Sequence, residues 1–221
     1  MLHADKKNNH NIGVFGGTFD PVHEGHVALA QYVLDMGVTG EILFLPAACP
    51  PHKSSATALF SHRLAMLQLA LTGKEKMAVS SLEAKRDGPS YTVDSLRLLR
   101  NSFPAGQLSF LMGADSLLEL HLWYKYTEIL RLADLIVVAR KGISARQCRQ
   151  TIVGLPGGYT MVPGTDPTVF RHSDGAEILY LAGFTHAVSS SMVRRQLQAG
   201  IRPRGLDENV FSYIQEHHLY S

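Results

Sequence analysis

Several features that would fix the class of a protein at once are scarce here. The 221 residues include two cysteines, Cys49 and Cys148, far apart and without C-x-x-C spacing. That excludes a disulfide framework or a zinc knuckle and leaves two free thiols of a reducing compartment. Long apolar runs are also missing, because Asp, Arg, Lys or Gly breaks each one well short of the roughly 18 residues that a membrane span needs. The leading segment, residues 1–11, is rich in Lys, Asn and His and lacks the apolar centre of a signal peptide; it reads as a frayed tail. Neither sign of charge dominates, with 21 Lys and Arg against 19 Asp and Glu and a net charge of +2. There is no long basic tract, so neither nucleic acid nor an anionic membrane is indicated as a partner. Internal repeats and low-complexity linkers are absent. A single cytoplasmic domain over 1–221 is the expectation.

What is present is an alternation of two periodicities. Ile12 to Phe15 is a short apolar run, and Val27, Ala30, Val33 and Leu34 then recur at helical spacing up to Gly37. Glu41 to Leu45 reads as a buried strand, Pro46 to Phe60 as a loop, and a helix follows with Ser61 as its N-cap. Met77 to Ser80 and Leu108 to Met112 read as strands on either side of a helix over Thr92 to Leu99. Short helical stretches flank Trp123 to Lys125. Asp134 to Ala139, rich in Ile and Val, is the most strand-like segment and belongs in the middle of a sheet. Ser144 opens a helix toward Ile152, no element is assigned in the Gly- and Pro-rich passage 154–167, and Glu177 to Tyr180 is read as the last strand. Ser189 and Asp207 open the final two helices. Strand and helix alternate almost throughout, which predicts an α/β fold, doubly wound around a mainly parallel sheet.

In such a sheet ligands bind beyond the carboxyl ends of the strands. The loop Gly16-Gly17-Thr18-Phe19-Asp20-Pro21-Val22-His23-Glu24-Gly25-His26 follows the first strand, Gly113-Ala114-Asp115 follows another, Arg140 a third, and Ser189-Ser190-Ser191 the last. An apolar run, a glycine turn and a polar helix start place main-chain N–H groups and a helix dipole against an anion. His23 and His26 are not a zinc pair of the H-E-x-x-H kind, because they lie three residues apart rather than four. They are either helix-start histidines or donors to phosphate oxygens.

The loop resembles the T/H-x-G-H signature of the nucleotidylyltransferases. Together with Pro50-Pro51-His52-Lys53, Tyr91-Thr92-Val93-Asp94-Ser95-Leu96, Gly113-Ala114-Asp115-Ser116-Leu117, Trp123, Arg140 and Ser189-Ser190-Ser191-Met192-Val193-Arg194, it is similar to the bacterial nicotinate-nucleotide adenylyltransferases from Ile12 to the last helix. The resemblance implies a Rossmann-like nucleotidylyltransferase fold. It also implies that ATP condenses with nicotinate mononucleotide to give nicotinate adenine dinucleotide and pyrophosphate, by direct in-line attack of the mononucleotide phosphate. The residues agree: no Ser-His-Asp or Cys-His set stands out, and an anionic phosphate nucleophile needs positioning and charge neutralisation more than a base.

Residue by residue, the resemblance gives His23, His26 and Arg194 the catalytic roles. Gly16, Gly17, Thr18, Phe19, Gly113, Asp115, Arg140, Ser190 and Ser191 would hold ATP, with Asp115 on the adenosine ribose. Lys53, Tyr91, Thr92 and Trp123 would hold the acceptor, with Trp123 stacked on the nicotinate ring and main-chain amides near Tyr91 and Thr92 receiving its carboxylate. Each has a plainer alternative: an N-cap for the serines and for Asp115, a solvated side chain for Lys53, a core aromatic for Trp123. Ser191 stands where the motif more often has threonine, which keeps the hydroxyl. Glu24 is expected to face away from bound triphosphate. Mg2+ would arrive on the ATP phosphates, and assembly into a homo-oligomer is left open. The competing readings are pantetheine-phosphate adenylyltransferase, which shares the loop and the serine-arginine motif, and a non-catalytic nucleotide-binding regulator.

Overall fold

The structure is a computed structural model and describes residues 11–51, 57–104 and 106–221. Eight strands form one mostly parallel sheet in the order β3-β2-β1-β4-β5-β8-β7-β6, with helices between strands, as the alternation of periods predicts. The strands are β1 (Asn11–Gly17), β2 (Glu41–Pro46), β3 (Met77–Val79), β4 (Gln107–Gly113), β5 (Asp134–Val138), β6 (Thr160–Val162), β7 (Thr168–Arg171) and β8 (Glu177–Leu181). The helices are α1 (Glu24–Asp35), α2 (Phe60–Ala70), α3 (Thr92–Ser102), α4 (Ala114–Leu118), α5 (Tyr126–Leu132), α6 (Ala145–Val153), α7 (Ser190–Gln198) and α8 (Glu208–Glu216). Asn11, placed with the leading segment on sequence grounds, begins β1, and its side-chain amide donates to the Val38 carbonyl at 2.8 Å. The chain forms two compact units.

The first unit holds the start of β1 up to Val14, then Val38–Glu41 and Thr92–Thr185. Here β4, β5 and β8 pair in parallel, with Gly113 opposite Val138 and Val138 opposite Leu181. Leu135, Ile136, Val137 and Val138 of β5 are at most 1% exposed. Their continuous apolar run is therefore a strand covered on both faces, each side chain contributing roughly 1.5–3 kcal/mol of burial. The passage 154–167, to which the sequence reading assigns no element, holds β6, and β7 begins just after it; β7 pairs antiparallel with β8, and β6 antiparallel with β7. Three- and four-residue strands separated by Gly and Pro give no period long enough to recognise. Ser144 caps α6, its hydroxyl accepting from the Gln147 N–H at 3.2 Å.

The second unit comprises Phe15–Gly37, Ile42–Tyr91 and His186–Ser221. Its strands β2 and β3 run parallel, Phe44 opposite Val79. α2 lies against α8, where Nδ1 of His62 and the Tyr213 hydroxyl are 2.9 Å apart. Ser61 does not cap α2; the helix begins at Phe60, with Leu59 in the capping position. Arg63 of the same helix is 1% exposed and turns its guanidinium inward to the carbonyls of Thr18, Ala58 and Ala48. Asp207 caps α8 as expected, accepting from Asn209 and Val210.

Candidate active site

In the second unit the chain leaves β1 through the glycines and turns at Phe19, whose φ of 50° is left-handed. The Phe19 ring is 2% exposed and lies 5.4 Å from Phe15, 5.6 Å from Phe44 and 5.0 Å from the His26 ring, centroid to centroid. Phe19 is thus a buried prop under the loop, and only its main chain can face a ligand. His23, 7% exposed, occupies the capping position of α1. Its N–H donates to Nδ1 of His26 at 3.2 Å, while the His26 N–H donates to the His23 carbonyl at 2.9 Å. A ring nitrogen that accepts carries no proton, so the neutral His26 imidazole holds its proton on Nε2 as a donor. Glu24 is exposed, and its N–H is taken by the Gly205 carbonyl at 2.9 Å. Gly25 is required by close approach: a Cβ there would lie 2.8 Å from Nδ1 of His186 and 3.0 Å from the His23 ring.

α7 is tied to the same loop. Ser189 is the N-cap, its hydroxyl accepting from the Met192 N–H at 3.3 Å. Ser190 donates instead to the Pro21 carbonyl at 2.9 Å, and Arg194 donates to the Asp20 carbonyl at 2.6 Å and to the Ser191 hydroxyl at 3.4 Å. One serine caps the helix, and the other two lie with Arg194 beside the histidine loop. His23, His26, Ser190, Ser191 and Arg194 are therefore brought together. Lys53 lies outside the described residues. Tyr91 is half-buried, and its N–H is turned to the Pro89 carbonyl at 2.9 Å.

In the first unit a second group forms at the carboxyl ends of β4 and β5. Nε of Arg140 and Oδ1 of Asp115 are 3.6 Å apart, both side chains well exposed. Asp115 lies in the first turn of α4 and does not cap it; Gly113 holds that position. A Cβ at Gly113 would run into the Asp115 carboxylate and the Arg140 guanidinium. Thr92 is the first residue of α3. Trp123 is half-buried just before α5, packed edge-on against Phe110 with centroids 6.1 Å apart. α3 and α5 are joined by Arg97, whose Nε and Nη2 each donate to a Glu128 carboxylate oxygen at 2.6 Å. That bond raises the Arg97 pKa and lowers that of Glu128. Among the described residues no group of three or more His, Cys, Asp and Glu could hold a metal ion, and no helix is long and apolar enough to cross a membrane.

The cytidylyltransferase-like family model matches residues 14–196. A relative from Gloeobacter violaceus, named as a nicotinate-nucleotide adenylyltransferase, is 39% identical over 212 residues, 95% of each chain. The chain belongs to the nicotinate-nucleotide adenylyltransferase family. A Neisseria meningitidis relative of the same name is 35% identical over 209 residues, covering 95% of this chain and 98% of its own. In fold the chain is similar to a Plasmodium falciparum nicotinic acid mononucleotide adenylyltransferase complexed with NaAD, with a TM-score of 0.75 at 18% identity, covering 96% of this chain and 98% of that one.

In this family member, sequence reasoning gave no role to the residues that brace the loop. Asp20 stands inside the quoted motif, yet its 4% exposure is a tertiary fact. Arg63 carries the one usable signal, since it falls on the buried stripe of α2 with Met66 and Leu67, where a guanidinium must find partners. Burial lowers its pKa, opposed by Asp20, Tyr220 and Glu83. His186, beside Gly25, has no signal at all.

Proposed function

We propose that this chain transfers the adenylyl group of ATP to nicotinate mononucleotide. An oxygen of the mononucleotide phosphate bonds to the α-phosphorus while the bond from that phosphorus to the bridging oxygen of the β-phosphate breaks. Pyrophosphate leaves with the electron pair, and the other product is nicotinate adenine dinucleotide. No proton need be removed from the nucleophile. The work left to the protein is alignment of the reacting atoms and neutralisation of charge.

The observation that carries this reading is the His23 N–H bond to Nδ1 of His26 at 3.2 Å. It supports His26 as a preset Nε2–H donor to an α-phosphate oxygen, where charge develops. Arg194, already oriented by the Asp20 carbonyl and Ser191, is the cation for the β- and γ-phosphates, with the hydroxyls of Ser190 and Ser191 beside it. His23 and the main chain of Gly16, Gly17, Thr18 and Phe19 complete the triphosphate contacts. Asp115 takes the adenosine ribose, flanked by Gly113 and Arg140. For the acceptor, Trp123 takes the nicotinate ring and the start of α3 at Thr92 its carboxylate, which the helix dipole favours by roughly 0.3–2 kcal/mol. Tyr91 adds its side chain, because its amide is engaged. Mg2+ fits as an ion carried by the triphosphate oxygens, since the described residues offer no cage of carboxylates.

The test is to incubate the protein with ATP and Mg2+ and each of nicotinate mononucleotide, nicotinamide mononucleotide and phosphopantetheine, and to measure pyrophosphate. Release with nicotinate mononucleotide is expected. Turnover with phosphopantetheine in its place, or with no acceptor, overturns the reading.

A further inference from the structure

One buried and fully engaged polar group of the second unit is not used by the reaction itself. The Asp20 carboxylate, 4% exposed, accepts from the Thr57 N–H at 2.7 Å through Oδ2. Its Oδ1 accepts from the Ala58 N–H at 3.1 Å and from the Tyr220 hydroxyl at 2.7 Å. Arg63 runs alongside, donating to the Thr18 carbonyl at 2.7 Å and the Ala58 carbonyl at 3.1 Å. The other face of the same residue is turned to the candidate site: the Asp20 carbonyl accepts from Arg194 at 2.6 Å, and the carbonyl of the next residue, Pro21, accepts from Ser190. Asp20 therefore transmits a buried anchorage, through its own carbonyl and that of Pro21, to Arg194 and Ser190.

Among the three donors to that carboxylate, two are main-chain amides fixed by their own segment. The third, Tyr220, follows α8 and is 6% exposed. Burial and the bond to Asp20 both hold its hydroxyl in the protonated, donating form. We infer that Tyr220 is a positioning residue for adenylyl transfer, acting through Asp20 to fix the 18–23 turn and with it Arg194 and the His23–His26 pair. Without the hydroxyl, Oδ1 keeps a single donor, and a buried carboxylate short of a donor shifts to find another. The turn moves with it, and a small misplacement of aligned groups is costly to rate.

The inference rests on the reading of the histidine loop as the ATP site, and the experiment separates the two. Tyr220→Phe keeps the ring and removes the hydroxyl alone; Tyr213→Phe, on α8 and bonded to His62, serves as the matched control. Two readouts are taken on the full chain: the kcat and KM for both substrates, and the 15N shifts of the His26 imidazole. The expected result is a kcat lowered roughly tenfold, the size of one charge-assisted hydrogen bond. Both KM values stay within about threefold, the His26 ring signals are displaced in Tyr220→Phe, and Tyr213→Phe stays at wild type. A change confined to melting temperature, unmoved His26 signals, or a Tyr220→Phe chain that fails to fold overturns the positioning role. If the wild-type chain itself shows no turnover, the functional reading falls, and the His26 signals alone decide the structural link from Tyr220 to the loop.

Discussion

The main-chain N–H of His23 donates to Nδ1 of His26 at 3.2 Å, and the two imidazoles stack with their centroids 3.7 Å apart. The same contact closes the start of α1 and selects the tautomer of His26, so one substitution cannot separate the two roles but a pair can. His26→Asn keeps a polar atom near the position of Nδ1 and loses Nε2, whereas His26→Ala loses both. Both variants are expected to lower turnover by about 10²- to 10³-fold, as for one removed transition-state donor. Only the Ala variant should also lose helix-cap stability, by roughly 0.5–2 kcal/mol. Denaturant titration beside a pyrophosphate assay measures both, and a near wild-type rate in either variant would return His26 to a helix-start role.

Gly113 precedes α4 with ordinary, negative-φ backbone, since it is not among the positive-φ glycines. Gly113→Ala should therefore fold normally, while its methyl group displaces the Asp115 carboxylate and the Arg140 guanidinium. If this pair holds the ribose, the KM for ATP rises by about tenfold and the KM for the acceptor does not. Initial-rate kinetics with each substrate varied in turn make the comparison.

Trp123 is half-buried and touches Phe110 edge-on, which leaves ring surface outside the core. Trp123→Ala is expected to raise the acceptor KM by about ten- to a hundredfold, the worth of a lost aromatic stack, with the ATP KM nearly constant. An unchanged acceptor KM accompanied by a lower melting temperature would make Trp123 a packing residue instead.

Tyr159, 3% exposed, has its phenol pushed up to about 12 by burial, with the negative charges of Asp174 and Asp134 adding to the shift. The folded state therefore keeps the proton where the unfolded chain, titrating near 10, gives it up. The associated stability is fully present below pH 10 and is lost as the pH rises through 10 toward 12, at most roughly 2–3 kcal/mol. Tyr159→Phe keeps the ring contact to His172 and removes the ionisation. Its melting temperature should fall less than that of the wild type between pH 9 and 12; parallel curves would place the alkaline weakness elsewhere.

The parts of the fold that were legible in the sequence are those written in local physics. The run from Leu135 to Val138 reads as a central strand because a doubly covered strand has no polar face, and Ser144 and Asp207 read as caps because a short side-chain oxygen can bond back to the helix start. β6 and β7 were not legible, since the pairing of β7 to β8 and of β6 to β7 supplies what their few residues do not. The same division runs through the candidate site. The histidines, the serines and Arg194 announce themselves by type and spacing, and so do Asp115 and Arg140. What the spacing did not tell is the division of labour among the serines, the burial of Phe19, or the engagement of the Tyr91 amide. Nor could it show that Asp20 meets Tyr220 across 200 residues of chain. Those are contacts between segments, and a hydrogen bond between distant segments leaves no period to read.

The turn at residues 18–21 is held by Thr57, Arg63, Arg194 and Tyr220, at separations of 37, 45, 174 and 200 residues. Each tie closes a loop whose entropic cost rises with its length, and contacts of large sequence separation are the slow ones to form. The turn proposed to cradle the triphosphate is thus encoded early in the sequence but completed by residues far along it. Competence to bind nucleotide is, on these grounds, among the last properties the folding chain acquires, after its helices have formed and its strands have paired.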